Sequence, residues 1–181
     1  MRATNTATRF GWVTRLLHWI MAIAILGMLV FGWVMVRTPP SLSILWMYVW
    51  HKSFGLTLLA LALLRLVWHA VSPPPQPIAD LDHPTLTHAA KIAHAGLYVL
   101  LLAVPLSGWI GSAATGIEVD FYGWTLPALL PASERVEAWG LGLHHLLTWM
   151  LAGLVALHAL GALHRHLVAR DATLRRMLWG E

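Results

Sequence analysis

Four long apolar runs, separated by short polar and proline-bearing breaks, dominate the chain. They cover roughly Trp12–Val36, Ile44–Val71, Ala89–Ala114 and Val136–Val168. Each meets or exceeds the ~20 residues an α-helix needs to cross the hydrocarbon core, and the excess allows tilt or extension into the interface. The second run contains LTLLALALLRLVW and the third LYVLLLAVPLSGW, both apolar all round as lipid-facing spans are. The breaks are Thr38-Pro39-Pro40-Ser41, Ser72-Pro73-Pro74-Pro75, and a longer Gly- and Pro-bearing loop from about Thr115 to Arg135. No internal repeat is visible. The pattern predicts an all-α fold, an integral membrane four-helix bundle, with residues 1–181 forming one domain. The first run follows Arg2 and Arg9 and carries Arg15 in its first turn, the basic flank of a signal peptide. It is too long for a signal h-region and precedes no small-x-small cleavage site, so it reads as a retained span. Pro105 predicts a kink in the third helix, because it removes one backbone hydrogen bond.

Composition agrees with lipid as the solvent. Only 11% of the 181 residues are charged and the mean hydropathy is +0.66, whereas a soluble domain carries about a quarter charged residues. The absence of cysteine excludes disulfides, thiolate-bound zinc, iron–sulfur clusters and a cysteine nucleophile. The net charge of +4 does not point to nucleic acid, because the basic residues lie at the ends of apolar runs and form no basic face. Four spans put both termini and the connection between helices 2 and 3 on one side. That side holds Arg2, Arg9, Arg15, Arg65, Lys91, Arg165, Arg170, Arg175 and Arg176, nine of the twelve basic residues. Arg37, Lys52 and Arg135 lie on the other, with Glu118, Asp120, Glu134 and Glu137. The positive-inside rule therefore predicts cytoplasmic termini. Trp12, Trp46, Trp50, Trp139 and Trp179 fall near span ends, where indoles favour the interface.

Eleven histidines in so uncharged a chain are unusual, and several fall inside spans. An imidazole in hydrocarbon is costly unless its nitrogens are satisfied, which makes each a functional candidate. Four of them form a constellation by depth. His18 lies near the cytoplasmic start of helix 1 and His51 near the periplasmic start of helix 2; helix 4 carries His144 toward the periplasm and His158 toward the cytoplasm. The depths pair His18 with His158 and His51 with His144. The fourteen residues from His144 to His158 turn an α-helix to within ~40° of four full turns and raise it by ~21 Å. Both imidazoles therefore share one face. His145 is ~220° around the helix from His158 and points away from that seam.

A tetrahedral zinc site wants three or four protein ligands, and no carboxylate lies deep in any run to complete one. Two imidazoles facing each other from different helices suit the two axial positions of a haem. Gly27, Gly32, Gly55, Gly153 and Gly161 lie beside them, where a flat macrocycle would approach the backbone.

The segments RLLHWIMA, HKSFGLTLLALALLRLVW, HAGLYVLLLAVPLSGW and LHHLLTWMLAGLVALHALGALHRHL, with the loop DFYGWTLP and the tail RDATLRRM, resemble the bacterial cytochrome b561 family over nearly the whole chain. The most specific parts are the second-span histidine followed by Lys-Ser-x-Gly and the fourth-span pair at fourteen-residue spacing. The resemblance implies two haem b groups in a bacterial inner-membrane, multi-pass bundle, with His18, His51, His144 and His158 as axial ligands. With both axial positions filled, outer-sphere electron transfer is the expected mode. The family further implies transfer from a periplasmic donor such as superoxide to ubiquinone in the bilayer. The alternative is an anchor subunit that passes electrons from a dehydrogenase or hydrogenase partner to quinone. A haemless ion or proton carrier is disfavoured because no deep Asp or Glu is present.

Four further residues are candidates for contacts. Lys52 is a partner for a haem propionate or an anionic substrate, or else snorkels to the interface. Arg65, fourteen residues after His51, is placed for a propionate of the His18/His158 haem, or simply obeys the positive-inside rule. Lys91 and His94, one turn apart, would line a quinone or reductant pocket, although the interfacial reading is favoured for both. His69, His83, His88, His164 and His166 receive no role.

Overall fold

The computed structural model describes residues 2–78, 84–127 and 130–180. Among these, four helices are long and apolar enough to cross a membrane. They are α1 (Trp12–Met35), α2 (Leu45–Val71, preceded by the 3-10 turn Leu42–Ile44), α3 (Pro84–Ala113) and α4 (Glu134–Leu167). His83 lies outside the described residues. The third helix begins five residues earlier than its apolar run, because Pro84 fits a helix's first turn, where no amide donor is needed. Pro105 sits inside α3. The fourth helix carries the clearest terminal signals. The Ser133 hydroxyl accepts the Val136 N–H, Glu134 and Glu137 occupy the first turn, and His164, Arg165 and His166 the last.

The interior is thin and the exterior apolar, the reverse of a soluble bundle. Met21 and Ile25 from α1, Ala62 from α2, Leu100 and Leu101 from α3 and Leu151 from α4 make the buried centre. Ile23, Val30, Val67, Val99, Leu157 and Leu160 all point outward, where lipid removes the penalty that water would impose. Helices without a hydrophobic drive to associate rely on close backbone approach at small residues. That approach occurs where α3 crosses α4: a Cβ on Gly140 would lie 2.6 Å from the Gly111 Cα, and one on Gly111 2.7 Å from the Leu141 nitrogen.

Two short elements lie outside the apolar pattern. The first is an antiparallel hairpin of β1 (Val119–Phe121) and β2 (Trp124–Leu126), turning through Tyr122 and Gly123 at φ 52° and 88°. Positive φ at both turn residues is the hairpin geometry that matches strand twist, and it is strained at tyrosine. The strain is offset by docking on α2: the Tyr122 ring packs against Trp50 and Phe54, its hydroxyl bonds Thr57, and its N–H donates to the buried Ser53 hydroxyl.

The second is α5 (Thr173–Leu178), which closes the opposite end of the bundle. Arg15 and Trp19 of α1 donate to the Leu178 and Met177 carbonyls, and Arg176 donates to the Gln76 carbonyl. Both ends of the chain and the α2–α3 connection therefore meet at one end of the bundle. The turn into α5 is fixed by Asp171, which accepts from Arg165 at 2.6 Å and from the Thr173 N–H at 2.8 Å. Burial alone would raise the Asp171 carboxyl. The Thr173 N–H and hydroxyl, together with Arg165, outweigh burial and hold it below the usual carboxylate range. A depressed carboxylate stabilises the fold above its unfolded range and loses that contribution as pH falls through the lowered value. Asp171→Asn is therefore expected to speed proteolytic trimming of the C-terminal segment at neutral pH. Wild type reaches the same rate only in acid; equal neutral rates would show that the tether is inert.

Candidate functional site

The four helices bring the histidines together in facing pairs. His18 of α1 faces His158 of α4 with ring centroids 6.2 Å apart, and His51 of α2 faces His144 of α4, also at 6.2 Å. Two imidazoles bonded to one metal in line, with ~2.0 Å bonds and ~1.1 Å from nitrogen to ring centre, stand ~6.2 Å apart. The two spacings thus match a shared iron between each pair. Among the described residues no three or more His, Asp or Glu side chains converge as a metal-holding group. A pair of imidazoles leaves four equatorial positions, which a porphyrin supplies. A Cβ at Gly27, Gly55, Gly153 or Gly161 would meet nothing within 4 Å, but Gly27, Gly153 and Gly161 are exposed, so their open side does not mark an internal cleft. The donor set and the spacing suit a haem at each pair.

The individual imidazoles are held differently. His144 Nδ1 lies 2.8 Å from the Val104 carbonyl oxygen of α3. A carbonyl only accepts, so Nδ1 carries the proton and Nε2 keeps its lone pair. This contact exists because residue 108 is glycine: a Cβ there would stand 2.8 Å from His144 Nδ1. On the partner ring, His51 Nδ1 is buried with no hydrogen-bond partner, against Phe31, and a Cβ at Gly32 would press its Cε1 at 3.1 Å. The third helix offers no ligand, yet its Val104 carbonyl orients one. Nothing in the local pattern around Val104 signals this, since the carbonyl belongs to every residue.

The other pair sits in a polar cluster. The Arg65 guanidinium lies 3.4 Å from His18 Nδ1 and over the Tyr98 ring. Tyr98 in turn bonds His69 Nδ1 at 3.0 Å, and His94 packs on His158 with centroids 5.1 Å apart. His94, for which the interfacial reading is favoured, is thus in contact with the site, and His69, assigned no role, is one step removed from it. Lys91 stays exposed. Arg65 is where the helical phase puts it, at the His18/His158 end, but its guanidinium reaches the imidazole itself. Lys52 sits at the hairpin end, half-buried, with the Asp120 carboxylate acting on its charge. His145 is exposed and takes a hydrogen bond from Trp149 one turn on, away from both pairs.

Comparison with known proteins identifies the family. Residues 9–180 match the family model described as prokaryotic cytochrome b561. The chain is 35% identical to cytochrome b561 homolog 2 of Escherichia coli (strain K12), over 98% of this chain and 95% of that protein. It is 30% identical to cytochrome b561 homolog 1 of the same organism, over 94% and 97%. It is 28% identical to the probable superoxide oxidase CybB of Yersinia pestis, over 90% and 91%. The match covers all four long helices, both histidine pairs and the hairpin between α3 and α4, and the chain belongs to the prokaryotic cytochrome b561 family, haem b-binding membrane proteins of electron transport.

Proposed function

We propose that the protein holds two haem b groups and carries electrons across the bacterial inner membrane, from superoxide on the periplasmic side to ubiquinone in the bilayer. The observation that carries this reading is the pair of facing imidazoles at 6.2 Å, repeated at two depths along α4. Nine of twelve basic residues lie toward the end where the termini meet, which supports a cytoplasmic position for that end. The name of the Yersinia pestis relative supports superoxide as the donor.

Bound haem would supply reversible one-electron chemistry at its iron. The chain supplies the rest. His18 and His158 would hold the cytoplasmic group, and His51 and His144 the periplasmic one. The His144 Nδ1–H to Val104 contact presets the ligating tautomer. Helix α4 sets the separation, since both of its ligands ride one face. At the periplasmic end, Lys52 offers a positive charge to an anionic donor. Lys91 lies at the quinone-facing cytoplasmic end, and His94 against His158 there offers a proton-bearing ring within the same cluster. The overall reaction oxidises two superoxide anions to two O₂ and reduces one ubiquinone with two protons to ubiquinol.

The test is made on purified protein, with haem counted first from the reduced-minus-oxidised spectrum. Supplying superoxide with a short-chain ubiquinone analogue is expected to give ubiquinol in proportion to haem content. Haem reduction without ubiquinol formation overturns the acceptor, and no reduction by superoxide overturns the donor. Isolation in fixed ratio with a large dehydrogenase or hydrogenase subunit would favour the anchor role instead.

A further inference from the structure

The two histidine pairs face unlike surroundings, and the difference acts on electrons. A ligating imidazole whose free N–H donates to an acceptor becomes more basic and favours the oxidised metal. His144 is held in this way by Val104 at 2.8 Å. His18 is the opposite case. The Arg65 guanidinium lies 3.4 Å from its Nδ1, too long a contact to fix the tautomer, and bears a full charge. A cation held beside a site in low dielectric stabilises an added electron there. Arg65 acts electrostatically on His18, His94 and His158 together. Among the described residues no protein carboxylate pairs with it, and a propionate of the bound group at that end would weaken its field without removing it. The other end also has a cation, Lys52, but the neighbouring Asp120 carboxylate offsets the field it projects and the side chain is only half-buried.

We infer that Arg65 makes the His18/His158 site the stronger electron acceptor and the Val104 carbonyl makes the His51/His144 site the weaker one. Electrons then run downhill from the hairpin end of the bundle to the end where the termini meet. Each passage is one electron: the site at His51/His144 is oxidised, the site at His18/His158 is reduced, and no proton need move between them. This rests on the proposed two-haem function and shares its direction; what it adds is the residues that set the two potentials.

Spectroelectrochemical titration of the purified, haem-loaded full chain tests the inference. Haem is counted first: any number other than two overturns the ligand reading, and this inference with it. Given two, the titration is expected to show two one-electron waves. His18→Ala should keep only the lower wave and His51→Ala only the upper. Arg65→Gln should lower the upper wave by a tenfold change in its oxidised-to-reduced ratio, 59 mV for one electron, and leave the lower wave in place. Arg65→Lys, which keeps the charge, should largely restore it. Gly108→Ala, which forces His144 off Val104, should raise the lower wave. Coincident waves, the reverse order in the single-haem variants, or an Arg65→Gln shift confined to the lower wave would each overturn the inference. If Arg65→Gln fails to fold, the single-haem variants and Arg65→Lys still decide it: a reversed order or a lysine variant unlike wild type rejects it.

Discussion

Replacing His144 with alanine is expected to leave the purified protein with one haem where wild type holds two. The same loss is expected for alanine at His18, His51 or His158, one haem for each change. The reason is geometric as well as chemical. Each of the four rings has a facing partner at 6.2 Å from a different helix, and removing either member takes away half of the axial set. The control is His145→Ala. His145 is adjacent in sequence but is exposed and bonded to Trp149, so that variant should keep both haems. The haem-to-protein ratio of purified protein decides the matter. Unchanged stoichiometry at any of the four positions would remove that residue from the assignment, and a loss at His145 would show that the helical phase of α4 had been misread.

Substituting Gly140 is expected to damage the bundle and the nearer site together. A Cβ there would lie 2.6 Å from the Gly111 Cα and 2.8 Å from the Gly111 nitrogen, backbone atoms that no rotamer change can move. Gly140→Ala should therefore force α3 and α4 apart, an overpacking cost of about 1–3 kcal/mol. His144 lies one turn further along α4, and its Nδ1 contact to Val104 crosses the same seam, so separation should loosen this ligand before it reaches His158. The expected result is a lower unfolding temperature in detergent, with the His51/His144 haem lost at a lower temperature than the other. Gly142→Ala is the matched control, because a Cβ there meets nothing within 4 Å. Equal behaviour of the two variants would mean that the glycine contact is not limiting.

Much of the architecture was legible along the chain because membrane helices are specified locally. Twenty consecutive apolar residues have few alternatives in lipid, where every backbone group must be bonded within its own segment. The spans at Trp12, Leu45 and Glu134 accordingly start within two residues of where their apolar runs do. The hairpin was not legible. Val119–Leu126 is three residues of strand on each side of a strained turn, too short to show an alternating pattern, and it is held by Trp50, Ser53, Phe54 and Thr57 of a distant helix. The tail helix is likewise only six residues long, and it stands because Arg15, Trp19 and Asp171 anchor it.

The same division runs through the candidate site. That His144 and His158 share a face, and that His145 does not, follows from helical periodicity and needed no tertiary information. That His94 touches His158, that Arg65 reaches the His18 ring rather than stopping at the interface, and that a carbonyl of α3 orients His144 were all decided by how the helices pack. Periodicity fixes angles within one helix; it carries no information about which neighbour fills the space beside a side chain. The chain alone therefore determined a membrane bundle with two levels of histidine. Only the packing of α3 against α4, and of α2 against α1, decided that those two levels have unlike surroundings.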